Sequence, residues 1–158
     1  MGNTNQNSGQ SEQSSSSSLP IDSNQKSKIQ IDDNELKNRL TPIQYAVTQL
    51  KATERPFTSE YYKHRDSGEY ICIVCEQKLF ASDSKFPTEC GWPAFKQPVQ
   101  QDNVALTEDL SHNMIRTEVT CSSCNAHLGH VFDDGPYPKR TRYCINSAAL
   151  KFIKKIPK

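Results

Sequence analysis

The sequence predicts a mainly β fold, a small antiparallel domain led by one or two short helices and stapled by four cysteines. Three observations carry this. Runs rich in Tyr, Ile, Val and Thr, punctuated by Pro and Gly, fill the chain from Tyr61 onward. A helix-start signature, "LTPIQ", precedes them. Two C-x-x-C pairs, "CIVC" and "CSSC", lie far apart within the β-rich part, the spacing of two metal-binding knuckles.

Residues 1–34 are Ser-, Gln- and Asn-rich, with only scattered Leu19, Ile21, Ile29 and Ile31. So little apolar surface does not offset the entropy of ordering, and the segment reads as a disordered tail. "DNELKNRL" follows as a short helix. In "LTPIQYAVTQLKA", Thr41 is the N-cap, Pro42 holds the first helical position and Gln44 completes the cap. Ile43, Ala46/Val47 and Leu50 mark one apolar face at helical spacing. "YYKHRDSGEYICIVC" reads as strand, Asp-Ser-Gly turn, strand. "MIRTEVTC" alternates Ile115, Thr117 and Val119 with Arg116, Glu118 and Thr120, the pattern of a half-buried strand. "RYCINSAALKFI" is a further strand with a break near Asn146-Ser147. The folded domain is expected over residues 35–154, with a short C-terminal tail over 155–158.

Composition narrows the function. The 158 residues carry a formal net charge of +1 from 19 basic and 18 acidic side chains. That balance argues against nucleic-acid binding through counterion release, and nothing favours a membrane surface. No stretch approaches the ~20 apolar residues of a membrane span. The first Lys is Lys26 and the first Arg is Arg39, so neither a secretory signal nor an Arg-rich transit peptide is expected. Met1-Gly2 suits a myristoylated start, but Gln6 stands where Ser or Thr is wanted. The expected address is cytoplasmic or nuclear, and the expected state a monomer. Thiols stay reduced there, so six cysteines point to metal or catalysis rather than structural disulfides.

Cys72, Cys75, Cys121 and Cys124 complete a tetrahedral thiolate shell, the structural zinc pattern. A thioredoxin-like redox motif is the rival reading. It normally accompanies a βαβ pattern, which is missing here, and it would leave the second pair unexplained. Cys90 and Cys144 remain. Isolated cysteines are often buried small hydrophobes, yet Arg142 shares a strand face with Cys144 and favours its thiolate. Cys90 lies in the "ECGWPAF" loop, so a strand nucleophile and a loop-borne resolving thiol make a coherent redox pair. In "CNAHLGHVFDDGP", His127 and His130 bracket a glycine and precede Asp134. Either histidine alone reads as core, surface or metal ligand. Their grouping beside a carboxylate points to acid–base chemistry. His64 and His112 lack such company and read as surface residues.

Taken together, "CIVC", "SKFPTECGWPAF", "CSSCNAHLGHVFDDGP" and "RYCINSAAL" resemble the B-type methionine sulfoxide reductases, from about Asn34 to Phe152. The resemblance implies a small barrel-like pair of antiparallel sheets behind short N-terminal helices. It places Cys144 as nucleophile, Cys90 as resolving cysteine and the four paired cysteines as ligands of one structural Zn2+. Trp92 would hold the substrate's methyl group. His127, His130, Asp134, Arg142 and Asn146 fill the other polar positions. It further implies oxidised proteins as substrates and thioredoxin as reductant.

The chemistry expected is attack of the Cys144 thiolate on the sulfoxide sulfur, with an acid from His127, His130 or Asp134, then a Cys90–Cys144 disulfide. A flat indole opposite polar donors would select one epimer. Two rivals are a zinc-ribbon binding module and a structural zinc protein descended from an enzyme. Near-zero net charge and the set around Cys144 count against the first, and the intact polar set against the second.

Overall fold

The computed structural model describes residues 29–155. Residues 1–28 of the expected tail and 156–158 of the C-terminal one lie outside the described residues. Helix α1 spans Asp33–Arg39, its N-cap Asp32 accepting the Glu35 amide at 3.2 Å. Helix α2, Pro42–Leu50, carries the capping box read from sequence. The Gln44 amide donates to Thr41 Oγ1 at 3.2 Å, and the Thr41 amide donates to Gln44 Oε1 at 2.9 Å. Lys51 ends the helix in the left-handed region, at φ 63°.

Eight strands follow: β1 Gly68–Cys72, β2 Lys78–Ala81, β3 Ala94–Phe95, β4 Val104–Asp109, β5 Arg116–Cys121, β6 His127–Phe132, β7 Arg142–Ile145 and β8 Leu150–Lys154. They form two sheets of order β2-β1-β8 and β3-β7-β6-β5-β4, antiparallel throughout. The expected break at Asn146-Ser147 is a short 3-10 turn, Ser147–Ala149. There the chain leaves the large sheet as β7 and enters the small one as β8. Tyr70, Phe80, Phe95, Leu128 and Ile145 are fully buried between the layers. Phe80 of the small sheet stacks on Phe95 of the large one with ring centroids 4.5 Å apart.

Four expectations change. Helix α2 buries Val47 and Thr48, while Ile43 and Leu50 are 47% and 67% exposed. The helix packs on the Ser147–Ala149 turn and β6, so only a narrow stripe meets the core. The strand expected before the Asp-Ser-Gly turn does not form. Tyr61 and His64 instead pack as aromatic caps on Tyr70 and Phe152, with the Tyr61–Tyr70 centroids 5.4 Å apart and the His64–Phe152 centroids 4.3 Å apart. His64 is therefore no plain surface residue; its Nδ1 lies 3.0 Å from the Tyr70 hydroxyl. In β5 the expected alternation holds only in part: Val119 is fully buried as expected, but its neighbours depart from it. Ile115, just before the strand, is 81% exposed and Glu118 only 5%.

Candidate active site and metal centre

Cys72 closes β1 and Cys121 closes β5, and each is followed by a turn that returns its partner cysteine. The turns are built alike. The Glu76 amide donates to the Cys72 carbonyl and the Asn125 amide to the Cys121 carbonyl, both at 2.8 Å. Glu76 (φ 69°) and Asn125 (φ 67°) both take the left-handed conformation that closes the turn. The four Sγ atoms lie within 4.8 Å of one another. Cys72 and Cys124 are 3.6 Å apart, and Cys75 and Cys121 3.5 Å. Zn–S bonds of ~2.3 Å in a tetrahedron set sulfurs about 3.8 Å apart, so the donor set fits a zinc-sized ion. Contact with Cys121 holds the pKa of the Cys75 thiol far below its ordinary value and pushes that of Cys72 up. A dication is the natural partner of such a cluster. Since β1 and β5 belong to different sheets, this corner joins the two layers.

Cys144 sits in β7 between Ala94 of β3 and His130 of β6. Cys90 reaches it from the loop before β3, the two sulfurs 3.9 Å apart, and Cys90 Sγ also donates to the Trp92 carbonyl at 3.2 Å. Hydrogen bonding with Cys144 lowers the Cys90 thiol to about 5, whereas Cys90 and burial push Cys144 up. The pair therefore holds one thiolate, and the Arg142 charge favours the ionised form of both members. Arg142 is itself fixed. Its Nε and Nη2 donate to Asp134 Oδ1 and Oδ2 at 2.8 and 3.2 Å, and its guanidinium lies 4.5 Å over the Phe132 ring.

Cys90, Trp92, His130, Arg142, Cys144 and Asn146 surround one cavity of about 180 Å³. The three acid–base candidates separate here. His130 lines the cavity, and its Nε2 is 2.7 Å from Asp109 Oδ2. His127 is buried behind it, its Nδ1 2.8 Å from Glu118 Oε2, and burial keeps its ring toward the neutral form. Asp134 is outside the cavity wall, and Arg142 holds its pKa below the ordinary carboxylate value. Asn146 is buried, its Nδ2 donating to the Leu128 carbonyl at 2.9 Å. Gly129 is required by this packing: a Cβ there would sit 2.0 Å from the Cys144 carbonyl oxygen.

Sequence reasoning missed Asp109, Arg116, Thr53 and Phe132. Arg116 lines the cavity, and its Nη2 lies 3.6 Å from Asp109 Oδ2. The available signal was a carboxylate and a guanidinium at the two ends of "DLSHNMIR", a hairpin whose register faces them across the sheet.

A charge-stabilised thiol pair and a His–carboxylate pair around one small cavity define a thiol-based oxidoreductase. A family profile described as "SelR domain" matches residues 40–154. The peptide methionine sulfoxide reductase MsrB of Hahella chejuensis (strain KCTC 2396) is 50% identical over 125 residues, 79% of this chain and 90% of that one. Methionine-R-sulfoxide reductase B1 of Drosophila melanogaster is 49% identical over 85% of this chain and 70% of its own. The chain belongs to the SelR-domain family, the B-type methionine sulfoxide reductases.

Proposed function

We propose that this protein reduces methionine (R)-S-oxide in oxidised proteins to methionine. The observation that carries it is the Cys90–Cys144 pair, 3.9 Å apart at a cavity that also holds His130 and Trp92, in a chain about half identical to reductases named for this reaction.

The cavity suits the end of a methionine side chain. Trp92 offers an apolar face to the methyl group, and its Nε1–H is already committed to the Glu54 carbonyl at 3.0 Å, which fixes the ring. His130, Arg116 and Asn146 supply the polar side. An epimer that turned its oxygen toward the indole would bury that oxygen unpaired, at a cost of roughly 1–3 kcal/mol. With the pair's proton passed to Cys90 across the 3.9 Å contact, the Cys144 thiolate attacks the sulfoxide sulfur while a proton from His130, backed by Asp109, goes to the oxygen. The bond formed between the two sulfurs then opens as the S–O bond breaks and the hydroxyl passes to Cys144. Methionine leaves and Cys144 becomes a sulfenic acid: the substrate gains two electrons and Cys144 loses them. The Cys90 thiol then displaces hydroxide from Cys144, releasing water and forming a disulfide. The sulfurs need to close by only about 2 Å for that bond. An external dithiol, thioredoxin by family resemblance, takes up the disulfide and returns two thiols.

Cys72, Cys75, Cys121 and Cys124 would hold one structural Zn2+, which supplies cohesion between the sheets rather than chemistry. The reading includes a monomer working in a reducing compartment, the cytoplasm or nucleus, with 35–154 as the working domain. The test is a peptide carrying racemic methionine sulfoxide, dithiothreitol as reductant, and chiral analysis of what remains. Loss of the R epimer alone is expected. Loss of neither epimer, with the fold intact, would overturn the proposal.

A further inference from the structure

Glu54 belongs to none of the motifs above, yet it is the most connected polar residue behind the cavity. It lies in the "ATERPF" segment after α2 and is 6% exposed. Its carboxylate accepts two backbone amides, Ser147 at 2.7 Å and Ala148 at 2.9 Å. Its own amide donates to Asn146 Oδ1 at 3.0 Å, and its carbonyl accepts the Trp92 indole N–H at 3.0 Å. One residue thus reaches both neighbours of Cys144.

The chemistry of the side chain is informative. Burial raises the pKa of Glu54, and no cation pairs with it among the described residues; the backbone N–H groups of Ser147 and Ala148 are the leading groups that favour its charge. Each N–H points at its own oxygen, Ser147 at Oε2 and Ala148 at Oε1, and a carboxylate supplies both acceptors. A glutamine amide has one acceptor, and would aim its NH2 at the second donor. The turn it grips, Ser147–Ala149, is where the chain crosses from β7 to β8, directly after the strand that carries Cys144.

We propose that Glu54 is a positioning residue of the active site. Its carboxylate bolts the segment after α2 to the crossover turn, so that its backbone amide and carbonyl orient Asn146 and the Trp92 indole on either side of Cys144. This rests on the proposed roles of Trp92 and Asn146, and it adds the group that sets their geometry.

Trp92 is the only tryptophan in the chain, so its fluorescence reports this arrangement without any assay of activity. Glu54→Ala and Glu54→Gln are compared with wild type, with Val47→Ala, in the core of α2, as a control for lost stability. Glu54→Ala is expected to shift Trp92 emission to the red and raise KM for an R-sulfoxide peptide roughly tenfold, with a smaller fall in kcat. Glu54→Gln should fall between it and wild type. Val47→Ala should lower the melting temperature while leaving emission and KM in place. Wild-type emission and KM in Glu54→Ala would overturn the proposal, or in Glu54→Gln should the alanine variant not fold. So would a matching shift in Val47→Ala. If the wild-type protein reduces neither epimer, the functional reading falls, while the emission shift still decides whether Glu54 fixes the indole.

Discussion

Six cysteines of one kind have become three kinds through their neighbours alone. Four face each other, and the remaining two face a cavity with Arg142 beside them. Because Cys144 is the leading cause of the lowered pKa of Cys90, alkylation of Cys90 by iodoacetamide should climb as pH rises through about 5. In Cys144→Ser that rise should move back toward the ordinary thiol value of 9.0. A rate that climbs only near the ordinary value in wild type would contradict a shared thiolate. Cys144→Ser should also abolish sulfoxide reduction. Cys90→Ser should complete one turnover in a rapid-quench experiment and then stall with thioredoxin as the only reductant; sustained thioredoxin turnover would remove Cys90 as the resolving thiol. The cysteine assignments were legible because spacing and neighbours carry them. Asp109 and Arg116 were not, because a pairing across a hairpin depends on register, which a linear pattern does not display. The His127/His130/Asp134 choice stayed open in sequence for a similar reason. Only burial and the Asp134–Arg142 bond separate the three.

The elements show how far local chemistry reaches. The start of α2 was legible from its cap, which is made by residues within four positions of one another, whereas α1 was expected over its segment and its Asp32 cap appeared only in the structure. Thr41→Ala should cost about 1 kcal/mol, seen as a fall of about 3 °C in melting temperature; an unchanged melting temperature would mean that α2 is held by packing alone. What neighbours do to an element was less legible. The face of α2 shifted to Val47 and Thr48 because the turn after β7 and strand β6 meet the helix there. The Tyr61–His64 segment has strand-like residues, yet its rings are worth more against Tyr70 and Phe152 than its backbone would be in a ladder. In β5 the face that carries the site also covers Glu118, so both faces of the strand are buried at Glu118-Val119 and alternation alone marks only one of them.

At the scale of the molecule, the metal corner and the cavity do different work on the same two sheets. An ion held by the four sulfurs that join β1 to β5 would add its binding free energy directly to the cohesion of the layers. Cys72→Ser, or incubation with a strong chelator, should release metal and lose near-ultraviolet circular dichroism together. A metal-free protein with native stability would show that the four thiols hold no structural ion. The two-sheet architecture itself was legible only as a class, mainly β with helices first. The sheet partition was not, because β7 and β8 are one continuous run in sequence and part company at a turn of three residues.

That crossover also sets a rule for chain length. Loops such as the one between β6 and β7 end at the surface and can absorb an added residue. Between Ile145 and Leu150 the chain has a fixed distance to cover, with Cys144 seated at one end and the small sheet starting at the other. A random library of single-residue insertions should therefore tolerate growth in the exposed connections and show a sharp gap over residues 146–149. The chain there works as a ruler, and a ruler with an extra division no longer measures the same gap.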